Sequence, residues 1–295
     1  TSVTHVFLIV TTSVTTDSFD CQTYLIDTVG SPHLKSKQLV CSKLALISKQ
    51  RSDGTWKHRL IWDLLRSGVN SVVRQGERVI LPRLEDVVTD ARDLYSLGKS
   101  GEVFLFMCAD VADAFHQVPL NPRERRFALA WHEGKLYAFT VLVFGSGSAP
   151  TVWGRFAAFL GRTWTTICDP RAVRVQVYVD DPLFTIRGER LAAVFEAMLA
   201  LLWAGVVGFP MSWVKVTAGQ SVVWIGAQLT LTNEEVVVGV PEAKVKETLT
   251  DLEGVAAAAI VSVKRLRQVS GRLSFFAGLV ETLRPFLDTF WAAMF

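Results

Sequence analysis

Two adjacent aspartates, Asp180 and Asp181, follow a run in which Val173, Val175, Val177 and Val179 alternate with Arg174, Gln176 and Tyr178. A period of two is the pattern of a strand. Leu183 to Ile186 resumes an apolar, β-prone run, so Asp180-Asp181-Pro182 reads as the tip of a hairpin. Neighbouring carboxylates repel each other, and a cation removes the repulsion. Asp-Asp-Pro is also ordinary turn chemistry that needs no ligand. A third carboxylate, Asp110, ends the near-continuous apolar run from Val103 to Ala109, which reads as a strand buried on both faces. A charge there is costly unless it is used or paired. Asp110 beside a hairpin carrying Asp180 and Asp181 would gather three carboxylates at one sheet edge. Magnesium keeps several waters and takes few protein ligands plus substrate phosphates. The donor set therefore points to phosphoryl chemistry assisted by two metal ions.

The elements that must position these groups are partly readable. Residues 44–48 and His58 to Trp62 read as a hairpin around Ser52-Asp53-Gly54-Thr55, and Leu84 to Leu97 as a helix opened by Pro82. Ala112 to His116 reads as a short helix, and Phe127 to Trp131 with Lys135 to Phe144 as a hairpin around His132-Glu133-Gly134. Gly145 to Pro150 reads as a flexible loop before a helix with Val152, Phe156, Phe159, Leu160 and Trp164 inward. A helix from Leu191 to Trp203, strands over Val222 to Leu231 and Val236 to Val240, and a helical end follow. In that end Val263, Leu266, Val269, Leu273, Phe276 and Leu279 repeat at three and four residues, and Lys264, Gln268 and Arg272 share another face. Strands and helices mix without regular alternation. That predicts an α+β fold with an antiparallel sheet covered by helices on one face.

The 295 residues are half hydrophobic and one-fifth charged, which excludes a disordered chain. The mean hydropathy of +0.30 and a first residue that is Thr1 fit a fragment of a longer polypeptide. Cys21, Cys41, Cys108 and Cys168 form no CxxC pair, so reduced thiols and an intracellular location are expected. Leu191 to Pro210 is the most membrane-like stretch, but it carries Glu196 and barely reaches a span of ~20 residues; a buried amphipathic helix is expected and no membrane partner. The net charge is only +3. Seven basic residues between Lys43 and Arg74, and five between Lys264 and Arg284, form two zones flanking the acidic centre. They suit a polyanion, or are two solvated faces.

The wording and order of four segments resemble a retroelement-type reverse transcriptase over roughly residues 44–295. Ala109-Asp110-Val111-Ala112-Asp113-Ala114-Phe115-His116-Gln117-Val118-Pro119-Leu120 resembles its first catalytic motif. Phe144-Gly145-Ser146-Gly147-Ser148-Ala149-Pro150 resembles its nucleotide- and template-positioning loop. Tyr178-Val179-Asp180-Asp181 resembles its YxDD box, and Val223-Trp224-Ile225-Gly226-Ala227-Gln228-Leu229 its primer-grip hairpin.

The resemblance implies a right-hand polymerase with fingers, palm and partial thumb. It divides the chain into an undefined segment 1–43, fingers with the first palm strand over 44–109, palm over 110–235 and a thumb-like region over 236–295. Asp110, Asp180 and Asp181 are the implied metal ligands, with the carbonyl of Val111, for two Mg2+ ions or Mn2+ in their place. Lys49 and Arg59 would hold the triphosphate, an arginine suiting bidentate phosphate contact. Phe115 would be the steric gate against a ribose 2′-hydroxyl, with Phe144 and Gly145 beside the nucleotide. Lys215 is placed as the proton donor to pyrophosphate, Trp224, Ile225 and Gly226 as primer grip, and Lys264 and Arg272 as nucleic-acid contacts. The implied partners are deoxynucleoside triphosphates, an RNA or DNA template with its primer, and further domains of a polyprotein. This chain departs from the family in its longer Arg66 to Asn70 segment, in Phe144 and in His116. A catalytically inactive descendant and an RNA-directed RNA polymerase are the competing readings, Phe115 arguing against the latter.

Overall fold

The computed structural model describes residues 39–50, 54–132, 135–232 and 235–294. The undefined N-terminal segment thus lies, up to residue 38, outside the described residues, as do Ser52-Asp53 and Glu133-Gly134 at the two expected hairpin tips. The chain forms two compact units, neither continuous in sequence. The first comprises residues up to Leu81, Val111–Leu160 and Ala204–Pro210, and the second Pro82–Asp110, Gly161–Trp203 and Met211 onwards.

The first unit begins with the antiparallel hairpin β1 (Leu44–Gln50) and β2 (Trp56–Trp62), followed by the short helix α1 (Val69–Val72). Leu44 and Trp62 are paired, and both are buried in a cluster with Leu64, Ala128, Ala130, Phe139 and Val143. The opposite end of the hairpin is polar and exposed. There Lys49 pairs with Lys57, two positions from the Ile47–Arg59 pair, so Lys49, Lys57 and Arg59 share one face. Like charges opposite each other weaken a hairpin and favour an anion over that face. The second expected hairpin forms as β4 (Leu129–His132) and β5 (Lys135–Ala138), shorter than the apolar runs suggest.

The second unit is built on a four-stranded antiparallel sheet in the order β6 (Val173–Tyr178), β7 (Asp181–Gly188), β3 (Val103–Cys108), β8 (Thr217–Gly219). On one face Phe106, Cys108 and Leu183 join Val87 and Ala91 of helix α2 (Leu84–Ser96). On the other, Phe184 meets Trp164 of helix α3 (Ala149–Ile167), ring centroids 5.6 Å apart. The sheet is therefore covered on both faces, not one. The reason lies in β7, where Leu183, Phe184, Thr185 and Ile186 are all buried: a continuous apolar run has no wet side.

Three further expectations are corrected. The turn of the aspartate hairpin is Val179-Asp180, since Tyr178 pairs with Asp181 and Val177 with Pro182. Asp181 and Pro182 open β7, where a proline without an N–H is tolerated. In α3 Leu160 and Trp164 are buried as expected, together with Ala149, Trp153 and Ala157, and Val152 and Phe156 are half-buried, but Phe159 is exposed. The apolar strand expected over Val222 to Leu231 is two strands, β9 (Ser221–Trp224) and β10 (Ala227–Leu231), sheeted with β11 (Val236–Gly239).

Helix α4 (Arg190–Val206) buries Ala193, Ala197, Ala200, Leu201 and Ala204, but Phe195, Leu199, Leu202 and Val206 are exposed, so its outer face is apolar too. No helix among the described residues is long and apolar enough to cross a membrane. The chain ends in α5 (Glu242–Ala256), α6 (Val263–Leu279) and α7 (Arg284–Ala292).

Candidate active site

Asp110 follows the last residues of β3, where the Ala109 N–H still bonds the Pro182 carbonyl at 3.0 Å. That bond sets Asp110 level with the opening of β7, and hence with Asp181. Burial, then the charges of Asp180 and Asp110, push the Asp181 carboxyl up to about 6, against a downward pull from Lys215. Burial and like charges disfavour the carboxyl's ionised form, and a counter-charge favours it. Lys215 supplies part of that counter-charge, its Nζ donating to Asp110 Oδ2 at 2.6 Å. Among the described residues no three His, Cys, Asp or Glu side chains are drawn tightly enough together to grip an ion by themselves. Asp110, Asp180 and Asp181 are thus neighbours in charge, not a closed cage.

The turn that carries Asp180 is strained. Val179 has φ 56°, a left-handed conformation that a β-branched residue adopts at a cost of about 1–3 kcal/mol. The opposite wall is the β9–β10 hairpin, whose turn residues Ile225 and Gly226 have φ 42° and 89°, the two positive values of a I′ turn. Trp224 is buried, and its indole N–H donates to the Asp181 carbonyl at 3.0 Å, which ties the primer-grip-like hairpin to the aspartate strand. Asp110, Asp181, Lys215, Trp224 and Ile225 line one cavity of about 470 Å³. Its floor includes Cys108, whose thiol is raised to about 12 by burial and by Asp181 and is therefore inert at neutral pH.

The first unit gathers a second set. The Phe115 and Phe144 rings are 5.2 Å apart, and the Arg59 guanidinium lies 5.9 Å from the Phe144 centroid. Phe115 is half-buried on a 3-10 turn (Ala114–Gln117), neither core nor free in solvent. His116 packs edge-on against Phe144 at 5.2 Å, and burial lowers its pKa to about 4, so it is neutral there. Lys49 is exposed, on the same face as Arg59 but nearer the turn end of the hairpin, beside the Gln50–Trp56 pair. Val111 is buried immediately after Asp110.

Sequence reading missed two positioning residues. Asn70 donates its amide to the Gly145 carbonyl and accepts from the Gly147 N–H, both at 2.9 Å, and the Phe144 carbonyl accepts from the Trp62 N–H. The loop is thus pinned, not flexible. Asn70 closes the Arg66–Asn70 segment that sets this chain apart, and an amide among apolar neighbours was the available signal. Lys244 donates to the Gly226 carbonyl at 2.9 Å with its ammonium 4.8 Å from the Phe275 ring. In α6, Arg272 pairs with Glu247 at 2.9 Å and also with Asp251, whereas Lys264 is exposed.

Paired aspartates thus stand at the edge of an antiparallel sheet, and comparison with known proteins places the chain in a family. The family model described as reverse transcriptase (RNA-dependent DNA polymerase) matches residues 59–229, more than half of the chain. The chain belongs to the reverse transcriptase family. Its fold is similar to that of the foamy viral protease-reverse transcriptase dRH in complex with double-stranded DNA, with a TM-score of 0.56 and 19% identity over 91% of this chain and 41% of that one. It is equally similar to the foamy viral protease-reverse transcriptase in complex with an RNA/DNA hybrid, with a TM-score of 0.56 and 18% identity over 91% of this chain and 32% of that one. The chain spans less than half the length of either.

Proposed function

We propose that the chain is an RNA-directed DNA polymerase of a retrotransposon-like element that extends a primer by two-metal nucleotidyl transfer. The observation that carries this reading is the meeting of Asp110 and Asp181 on one cavity, with Asp180 next to Asp181 at the hairpin turn. Asp181 is raised to about 6 by burial and by Asp180 and Asp110, and a divalent cation is what such a group accepts. The donor set fits magnesium, or manganese in its place: hard oxygens, few of them, with an open cavity for water and phosphate. Asp110, Asp180 and Asp181, with the Val111 carbonyl, would hold it. When bound, the metal supplies charge neutralisation and a more acidic primer hydroxyl.

The remaining roles belong to the chain's own side chains. Arg59 and Lys49 meet the triphosphate. Phe115 and Phe144 form the aromatic floor that excludes a 2′-hydroxyl, with Gly145 beside it. Lys215 protonates the departing pyrophosphate, and Trp224, Ile225 and Gly226 orient the primer end. Lys264, and Arg272 once released from its acidic partners, track the duplex backbone. The duplexes held by the foamy viral relatives support a primer–template partner here. Fingers over 44–109, palm over 110–235, a thumb-like end over 236–295, neighbouring polyprotein domains and an intracellular setting complete the proposal.

Primer extension on RNA and on DNA templates tests it. Magnesium-dependent incorporation of deoxynucleotides on RNA supports the polymerase. Binding of the duplex without extension under any metal points to an inactive descendant, and preferential ribonucleotide incorporation to an RNA polymerase.

A further inference from the structure

We propose that Lys215 is an internal competitor of the divalent metal: its ammonium occupies the carboxylate site in the metal-free protein and must leave before the ion binds. The inference rests on the reading of Asp110, Asp180 and Asp181 as metal-binding carboxylates. Lys215 Nζ lies 2.6 Å from Asp110 Oδ2, the distance of a charge-assisted hydrogen bond. The lysine is delivered there by the backbone. The Ser212 N–H bonds the Asp110 carbonyl at 2.8 Å, the Lys215 N–H bonds Ser212 at 2.9 Å, and Thr217 pairs with Cys108. The 3-10 turn carrying Lys215 is thus fastened to the same strand end as Asp110.

Exposure decides which partner moves. The Asp110 side chain is 16% exposed and that of Lys215 48%, so the carboxylate stays and the flexible lysine stem can swing outward without disturbing the core. One positive charge against Asp110, Asp180 and Asp181 leaves the site net negative. A divalent ion can therefore displace the ammonium, but only against its competition. Such a device lessens the repulsion among the carboxylates in the metal-free protein without cancelling it. It also leaves the released ammonium close to where pyrophosphate departs.

Direct Mn2+ titration by electron paramagnetic resonance tests this without any turnover. Lys215→Met should bind Mn2+ on the order of tenfold more tightly than the native chain, from the removed charge repulsion. Lys215→Arg, which keeps the charge, should stay near native affinity. Equal affinities in all three proteins would overturn the competitor role while Asp110→Asn still weakened binding. Native affinity in Asp110→Asn and Asp180→Asn would overturn the metal reading itself, and this proposal with it. Should Lys215→Met not fold, the unmodified chain gives the answer. Labelling of Lys215 by an amine-reactive ester should be slow in EDTA and rise several-fold at saturating Mg2+ as the ammonium is expelled. Unchanged labelling would overturn the proposal.

Discussion

Among the described residues, three other than glycine have a positive φ: Asp113, Val179 and Ile225. Each falls in one of the segments that resemble the family's motifs, and strain of about 1–3 kcal/mol per residue is kept where geometry matters more than stability. At this scale the sequence was most legible for charge and least for conformation: Asp110, Asp180 and Asp181 stood out as charges at the ends of apolar strands, whereas nothing in a valine announces a left-handed turn. Phe115 carries the first prediction. Because it is half-buried, Phe115→Val should lose far less than the ~3–5 kcal/mol of a fully buried phenylalanine and should raise ribonucleotide over deoxynucleotide incorporation. Parallel melting curves and incorporation ratios on the one variant check it. A lower Tm with unaltered sugar preference would return Phe115 to a packing role. His116 carries the second. Its folded pKa of about 4 lies below the ordinary 6.5, so the unfolded chain takes up the proton first. The stability it contributes is complete above pH 6.5 and is lost as pH falls towards 4. His116→Phe should remove roughly 1–3 kcal/mol of that acid-side loss, seen as a flatter Tm profile between pH 6.5 and 4.

Elements were legible where periodicity was clean and turns were marked, and less so where burial was two-sided. β3 and the aspartate hairpin appeared at nearly their full lengths. In helix α3 Leu160 and Trp164 were read inward correctly, but Phe159 was placed inward and Trp153 overlooked, because both are apolar and only packing chooses between them. The loop Gly145–Pro150 looked mobile because glycine and serine are locally permissive, yet the distant Asn70 and Trp62 fix it. Gly145 has φ 107°, and a Cβ there would collide with the Trp62 carbonyl. Gly145→Ala should therefore lower Tm by several degrees, the equivalent of about 2 kcal/mol or more, and a native Tm would show that the loop can step away from β2. Helix α6 yields a split that composition alone did not. Lys264→Ala should reduce the log–log salt slope of duplex binding by about one unit, with Tm unchanged. Arg272→Ala should lower Tm as well, because Asp251, itself only 15% exposed, loses a partner. Identical behaviour of the two variants would contradict the assignment of Arg272 to the α5–α6 contact.

For the molecule as a whole, a net charge of +3 says little, and it is the placing of charge that speaks. Acidic groups sit at the end of β3 and the start of β7 in one unit, while Arg59 and Lys49 share a hairpin face in the other. The division into two interleaved units was hidden from the sequence, because it depends on which distant segments pack together and not on any linker. The family match and the shared fold with the foamy viral enzymes state what kind of chain this is. Whether its carboxylates transfer nucleotides is settled most directly by one assay: extension of a DNA primer on an RNA template with Mg2+ and deoxynucleoside triphosphates, comparing the native chain with Asp110→Asn and Asp180→Asn at equal duplex occupancy. Extension by the native chain is expected, with a fall of at least about a thousandfold in either variant while folding and duplex binding are retained. Extension by either variant at near the native rate would contradict the carboxylates' role in transfer.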